Sequence, residues 1–355
     1  MKIAQIMPEF GLAGAEIMCE NLTYELCRAG HEVIVVSMYD YHSAITERLE
    51  RAGVEIRYLG KKPGLDVSMI PKMAKLFREA GVQVIHTHRY CAQYAMPAAM
   101  LTGVKHRVHT LHSVALIENK KKAARKLSKF FFKYCNLIPV SLSALVKESV
   151  AEEYGLASDA IPMIFNGIDL SKCIPKDDYA RKGNFKILHI GRFSVEKNHI
   201  GLITAFGKFH AKHPDSELWL IGDGNLRPDA EAFARDNGLE QAVKFLGLQS
   251  NVYGYMHDAD LFTLTSNFEG MPMTLIEAMG TGLPVVATRV GGIPDMLNDS
   301  SAQLVPVDMD AVAEAFEKYY ADELLRKNHG QAAAKCADRF SAQIMAENYL
   351  RIYAQ

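Results

Sequence analysis

The sequence predicts an α/β protein built as two doubly wound parallel-sheet domains in tandem. Three observations carry this expectation. Short apolar, β-branched runs alternate with longer amphipathic stretches along the whole chain. The alternation is interrupted once, by a polar stretch holding Lys176, Asp177, Asp178, Arg181, Lys182, Gly183 and Asn184, and then begins again. The 355 residues suit two domains of ordinary size, and a hydrophobic content of 49% lets each bury a core. The expected division is 1–175 and 180–335.

In the first half the strand candidates are 3–7, 33–37, 82–86, 107–111 and 137–141. Residues 15–29 are apolar at helical spacing and are closed by Gly30, so they form the first crossover helix. In the second half the strand candidates are 186–190, 217–221, 243–246, 261–265 and 284–287. A last helix is expected over 341–353. Two doubly wound domains in tandem would place an inter-domain cleft at their strand C-termini, where such sheets bind ligands.

Composition excludes several classes. The formal net charge is -1, which gives no global electrostatic case for nucleic acid. The six cysteines show no C-x-x-C spacing, which points to reduced thiols in a cytoplasmic location and not to a disulfide framework or a zinc site. No apolar run approaches the roughly 18 residues a membrane span needs. The N-terminus begins a strand at once and meets Glu9, unlike a secretory signal.

The most informative segment is Glu269-Gly270-Met271-Pro272-Met273-Thr274-Leu275-Ile276-Glu277. It follows a buried-strand pattern and opens a helix, with Pro272 suited to the first turn. The amides of Met273, Thr274 and Leu275 are then expected to be unpaired donors that favour an anion, most naturally a phosphate. Glu269 and Glu277 flank that anion, and carboxylates there are better placed to accept hydrogen bonds from hydroxyls. A ligand with hydroxyls on both sides of a diphosphate is a nucleotide sugar. The competing reading is an ordinary strand-loop-helix unit with solvated glutamates.

Other residues converge on the same chemistry. Arg192 and Lys197 lie five apart on a loop leaving a strand, where cations can clamp a diphosphate. Gly222 and Gly247 each follow a strand and read as pocket walls or simple tight turns. In the first domain, Phe10-Gly11-Leu12-Ala13-Gly14-Ala15-Glu16 joins the first strand to the first helix, with glycine allowing close backbone approach to a ligand. His86, His88 and His112 stand at strand ends without a closed metal-ligand set. His112 is expected to be a neutral hydrogen-bond donor; His86 and His88 are divided between functional and structural roles. Asp258-Ala259-Asp260 resembles a metal-binding D-x-D, but it precedes a strand, so Asp260 is expected at the end away from the ligand and no metal is assigned.

Taken in order, these segments resemble the family 4 type of retaining glycosyltransferase with the GT-B fold. The resemblance runs from residues 11–16 through His112, Val140-Ser141, Asn166-Gly167-Ile168-Asp169, residues 191–198 and Gly222-Asp223-Gly224 to Glu269 and Glu277, and on through Glu277-Ala278-Met279-Gly280-Thr281-Gly282-Leu283-Pro284. It implies two facing Rossmann-like domains, with the acceptor on the first, the nucleotide-sugar donor on the second, and 341–355 packing back on the first. It also implies that Arg192 and Lys197 hold the diphosphate, Glu269 the sugar hydroxyls and Glu277 the ribose. By the same resemblance, Gly14 is expected to face the phosphate and His112 to stand beside the transferred sugar. With Gly222, Gly270, Met271, Met273, Thr274 and Leu275 these complete the implied donor site. Ala13 departs from the family, where a second glycine is common.

The implied reaction moves a hexose or N-acetylhexosamine, with a UDP-sugar as first choice of donor, to an acceptor hydroxyl with retention. Neither metal nor cofactor is called for. A feature outside the family motifs is the stretch 120–133, where Lys120, Lys121, Lys122, Arg125, Lys126, Lys129 and Lys133 surround Leu127 and Phe130 to Phe132 without an acid. It reads as an anchor on an anionic membrane, against the alternative of a solvated helix with a core Phe face. That suits a peripheral position on the inner face of the plasma membrane and a lipid-linked acceptor in surface polysaccharide assembly. A nucleotide-sugar 2-epimerase of the same architecture is the alternative.

Overall fold

The computed structural model describes residues 1–11 and 13–355, so Leu12 of the first glycine loop lies outside the described residues. The chain divides into two compact units, residues 1–168 with 341–355 and residues 169–340. The strands of the first are β1 (Lys2–Met7), β2 (Glu32–Ser37), β3 (Glu55–Tyr58), β4 (Val84–His88), β5 (His106–Leu111) and β6 (Leu137–Ser141). They form a six-stranded sheet in the order β3-β2-β1-β4-β5-β6, and every pairing is parallel. The second sheet uses β7 (Phe185–Ile190), β8 (Ser216–Ile221), β9 (Val243–Gly247), β10 (Leu261–Leu264), β11 (Val285–Thr288) and β12 (Gln303–Val305). Its order is β12-β11-β10-β7-β8-β9, again parallel throughout.

Both sheets are covered by helices on two faces, which is why their central strands carry apolar side chains without a solvent-facing alternation. Ile3, Ala4, Ile6 and Met7 of β1 and Leu261, Phe262 and Leu264 of β10 are fully buried. Two strands escaped the sequence pattern. β3 and β12 are edge strands with one neighbour each, and β3 alternates exposed and half-buried residues. β4 begins two residues later than expected and reaches His88, because His86 and His88 are buried polar residues inside it.

The unit boundary falls before Asp169, ahead of the polar stretch expected to link the domains. That stretch packs on the second unit through its one aromatic residue. Tyr179 is buried, its hydroxyl donates to Gly282 O at 2.8 Å, and Lys176 N donates to Thr281 O at 2.9 Å. The C-terminal helix, Ala342–Tyr353, belongs to the first unit. Ala342 N donates to Ile168 O at 2.8 Å, and Tyr349 and Tyr353 are buried.

Register then sets the polar layer of the first unit. Gln5 of β1 stands opposite His86, and His88 opposite Thr110. Because side chains alternate along a strand, His86 and His88 share one face of β4 with Thr110 of β5, while Thr87 and His109 face the other way.

Candidate active site

In the second unit, the loops that follow β7, β8, β10 and β11 gather at the C-terminal edge of the sheet. The β7 and β8 loops are laced together by Gly191 N to Ile221 O at 3.0 Å and Phe193 N to Asp223 O at 3.0 Å. A Cβ on Gly222, whose φ is +138°, would stand 2.0 Å from Gly191 O, so this approach requires glycine. The β7 and β10 loops are tied just as closely. Asn267 N donates to Glu196 O at 2.7 Å, and Asn267 Nδ2 to Val195 O at 3.0 Å. Asn198, in the left-handed region at φ +52°, caps helix His199–His210 with its carbonyl and donates to Thr265 O at 3.3 Å.

These ties bring Lys197 Nζ to 2.6 Å from Glu269 Oε1. Ser266 Oγ donates to the same oxygen at 2.5 Å, so both contacts fall on Oε1. Gly291 holds the Glu269 backbone from the other side. Its φ is +56°, and a Cβ there would stand 1.6 Å from Glu269 O. Gly292 N completes the clamp with a 3.1 Å bond to Gly270 O. Arg192 is exposed on the same β7 loop.

Helix Met273–Gly280 starts immediately beyond, with Pro272 at its N-cap and no side-chain cap. The expected set of three unpaired amides is reduced, because Leu275 N donates to Pro272 O at 3.2 Å in a tightened first turn. Met273 and Thr274 are the first two residues of this helix. Glu277 lies one turn in, its Oε1 accepting from Tyr253 OH at 3.4 Å. Burial pushes its carboxyl up to about 7, against the opposing pull of Tyr253 and Lys172. Asp260 sits at the N-terminal end of β10, where Oδ2 accepts from Lys186 N at 2.9 Å, remote from these loops. No cluster of three His, Cys, Asp or Glu suited to a metal occurs among the described residues.

In the first unit, Gly14 opens helix Gly14–Arg28, which has no side-chain cap. Glu16 in its first turn is buried and ion-paired with Arg89 at 2.7 Å. Arg89 takes φ +51°, a conformation uncommon outside glycine. His112 follows β5. Its amide donates to Glu118 Oε2 at 3.2 Å, and its Nε2 lies 3.0 Å from His88 Nδ1. Desolvation, then Arg89, holds the His112 imidazole down to about 3, so it is neutral near pH 7. Burial raises the Glu118 carboxyl to about 7, offset by Arg89 and by the amides of His112 and Ser113. His86 is structural, with Nδ1 2.7 Å from Tyr353 OH and Nε2 2.7 Å from Thr110 Oγ1.

The family described as "Glycosyltransferase Family 4" matches residues 12–172, and that described as "Glycosyl transferases group 1" matches residues 174–336. The chain belongs to the family 4 glycosyltransferases. Among its relatives is the N-acetyl-alpha-D-glucosaminyl L-malate synthase of Bacillus anthracis, 25% identical over 96% of this chain and 94% of that protein. The UDP-Gal:alpha-D-GlcNAc-diphosphoundecaprenol alpha-1,3-galactosyltransferase of Escherichia coli is 28% identical over 73% and 72%. Among solved structures, Anabaena HepE in complex with UDP and glucose matches with a TM-score of 0.86 at 20% identity, covering all of both chains. The fold of this glycosyltransferase is GT-B.

Three residues that shape the glycosyltransferase's second-unit site were missed from sequence. Gly291 and Gly292 leave β11 as a glycine pair, a signal of close backbone approach that could have been read. Tyr253 reaches Glu277 across 24 residues of sequence and gives no local signal. The basic segment forms helix Lys122–Tyr134, with Phe131 and Phe132 buried in the core. Leu127, Phe130 and Tyr134 are exposed at helical spacing, and Lys120, Lys121, Lys122, Lys126, Lys129 and Lys133 are exposed around them. Arg125 does not join that surface as expected. It pairs with Glu153 at 2.8 Å and donates to the carbonyls of Asn119 and Lys120. No described helix is long and apolar enough to cross a membrane.

Proposed function

We propose that this glycosyltransferase transfers a hexose or N-acetylhexosamine from a UDP-sugar to a hydroxyl of a lipid-linked acceptor, with retention and without a metal, in surface polysaccharide assembly. The observation that carries the reading is the convergence of Lys197, Ser266 and Glu269 beside the start of helix Met273–Gly280. That arrangement offers positive charge and amides to a diphosphate and a carboxylate to the sugar. Relatives named for diphosphoundecaprenol acceptors in Escherichia coli and Campylobacter jejuni favour the lipid-linked acceptor, and a UDP-bound structural neighbour favours the uridine donor.

In the reaction, the bond from the anomeric carbon to the β-phosphate oxygen breaks and a bond to the acceptor oxygen forms on the same face. The acceptor proton passes to the departing phosphate. Arg192, Lys197 and the amides of Met273 and Thr274 take up the charge that builds on UDP. Glu269 accepts hydrogen bonds from sugar hydroxyls, and Glu277 accepts from the ribose. In the first unit, Gly14 and His112 face substrate. The exposed basic and aromatic face of helix Lys122–Tyr134 rests on the inner, anionic leaflet that carries the acceptor.

A thermal-shift screen against nucleotides and nucleotide sugars tests the donor assignment, since a matched donor stabilises in proportion to ln(1+[L]/Kd). UDP and a UDP-sugar are expected to raise Tm. A shift with GDP-mannose alone would overturn the uridine reading.

A further inference from the structure

We propose that Gln5 and His88 are positioning residues that fix the tautomer of His112, so that His112 presents a bare Nδ1 as a hydrogen-bond acceptor to a substrate hydroxyl. The proposal rests on the reading that His112 contacts substrate, and it reverses the donor role expected for His112 from sequence.

The argument is a proton inventory along three side chains. His88 is fully buried, with Nε2 3.1 Å from Gln5 Oε1 and Nδ1 3.0 Å from His112 Nε2. Burial and the neighbouring histidines hold it well below its ordinary value, so it carries one ring proton. An amide oxygen only accepts, so that proton is on Nε2 and is donated to Gln5. Cys19 Sγ, a buried thiol 3.8 Å from the same oxygen, donates weakly to it, and the Gln5 side chain also interacts with the Tyr353 hydroxyl. His88 Nδ1 is then a lone pair, and its contact with His112 Nε2 requires a proton on the latter. His112 is neutral as well, so its only ring proton lies on Nε2 and its Nδ1 is bare.

The chain of contacts is held rigidly from behind. Gln5 is fully buried in β1, and the His86 ring packs on His88 with centroids 4.3 Å apart. His86 is itself fixed by Tyr353 of the C-terminal helix and by Thr110, whose Oγ1 lies 2.7 Å from Tyr349 OH. On the substrate side, the amide bond to Glu118 sets the His112 backbone. Among the described residues, none hydrogen-bonds His112 Nδ1. An imidazole so locked can accept from a hydroxyl at no tautomeric cost, and it cannot serve a ligand that only accepts.

The decisive measurement is 15N-histidine NMR on the full chain, in which two-bond 1H–15N correlations separate the two tautomers; His112→Asn assigns the signal. The Nε2–H tautomer is expected for both His88 and His112. A proton on His112 Nδ1 overturns the proposal. Kinetics supply the second arm. His88→Phe removes the acceptor for His112 and should lower kcat ~10- to 100-fold while the Kd for free UDP is unchanged. His88→Asn, which restores a polar partner near Nδ1, should recover part of that loss. Gln5→Leu removes the acceptor for His88 Nε2 and should release the fixed tautomer of His112, so it serves if His88→Phe does not fold; an unchanged tautomer in Gln5→Leu overturns the role of Gln5. Unchanged kcat in His88→Phe overturns the positioning role. If instead His112→Ala leaves kcat unchanged while the tautomer is as stated, the failure lies in the substrate contact and not in the chain of three side chains.

Discussion

Lys197 Nζ and Glu269 Oε1 stand 2.6 Å apart although 72 residues separate them in the chain. The cation assigned to the diphosphate is thus neutralised by the carboxylate assigned to the sugar. In the proposed mechanism, donor binding redistributes this pair, with the phosphates competing for Lys197 and the sugar hydroxyls reaching Glu269. The charge is therefore held where it is needed and the site avoids an isolated, half-buried lysine.

Lys197 and Arg192 should differ in stability but not in catalysis. Alanine at either removes a cation from the leaving diphosphate, costing on the order of 2–4 kcal/mol in kcat/KM. Lys197→Ala also strands the buried Glu269 carboxylate, which should cost about 1–3 kcal/mol of stability. Arg192 is exposed, and its removal should leave Tm unchanged. A double alanine variant with near wild-type turnover would sink the site assignment.

Glu269 and Glu277 should separate by ligand. Glu277→Gln is expected to weaken free UDP and UDP-sugar alike, because the ribose is common to both. Glu269→Gln should depress turnover while leaving the affinity of free UDP alone or raising it, since Lys197 loses its charged competitor. Calorimetric titration of both variants with UDP checks this. Equal weakening of UDP by both changes would show the roles misassigned.

A pH dependence follows from the Glu277 carboxyl, which burial pushes up to about 7. If the carboxylate accepts from the ribose, UDP affinity should rise as pH passes from 6 to 8, and Glu277→Gln should flatten that rise. The stability effect has the opposite sense. A raised carboxyl contributes stability present below its ordinary value near 4.5 and lost as pH rises through about 7. Glu277→Gln should therefore gain Tm over the wild type at pH 8 and lose that advantage at pH 5. An identical Tm difference at both pH values would show that Glu277 does not titrate in this range.

Much of the fold was legible because parallel strands covered on both faces need near-continuous apolar runs, as at Ile3 to Met7 and Leu261 to Leu264. β3 and β12 were not, since none of the four β3 residues is fully buried and β12 is three residues long with only Leu304 buried. Tyr179 hid in a polar stretch that composition alone marks as a linker, yet it is buried and the stretch lies within the second unit, which begins at Asp169. Glu269 and Glu277 were readable because a turn and a helix start put them near one another locally. The contacts of Lys197 with Glu269 and of Tyr253 with Glu277 depend on which strands lie side by side, and no local pattern carries that. The same holds for Gln5, His88 and His112, drawn together from two strands and the loop after a third.

Activity should survive chelation. Arg192, Lys197 and the amides of Met273 and Thr274 stabilise the departing diphosphate in the proposed mechanism, so excess EDTA should change the initial rate little. Loss of activity restored by manganese or magnesium would reopen the role of Asp258 and Asp260.

Helix Lys122–Tyr134 should bind anionic membrane through one face. Each Lys near such a surface contributes about 1 kcal/mol, so the exposed lysines suffice for salt-sensitive attachment. Phe130 and Tyr134, exposed at 49% and 73%, add apolar area that salt does not screen. Sedimentation with liposomes containing anionic lipid should therefore fall as salt rises, without reaching zero. Replacing Lys120, Lys121, Lys122 and Lys126 by Glu should abolish the salt-sensitive binding without lowering Tm, because these side chains are exposed and outside the core. Phe130→Ser with Tyr134→Ser should instead remove the salt-resistant fraction. Arg125→Glu is expected to unsettle the helix start by breaking its contacts with Glu153 and Asn119, so it should lower Tm and is the wrong probe of the surface. Wild-type protein that ignores anionic liposomes at low salt would remove the anchor and favour a soluble acceptor.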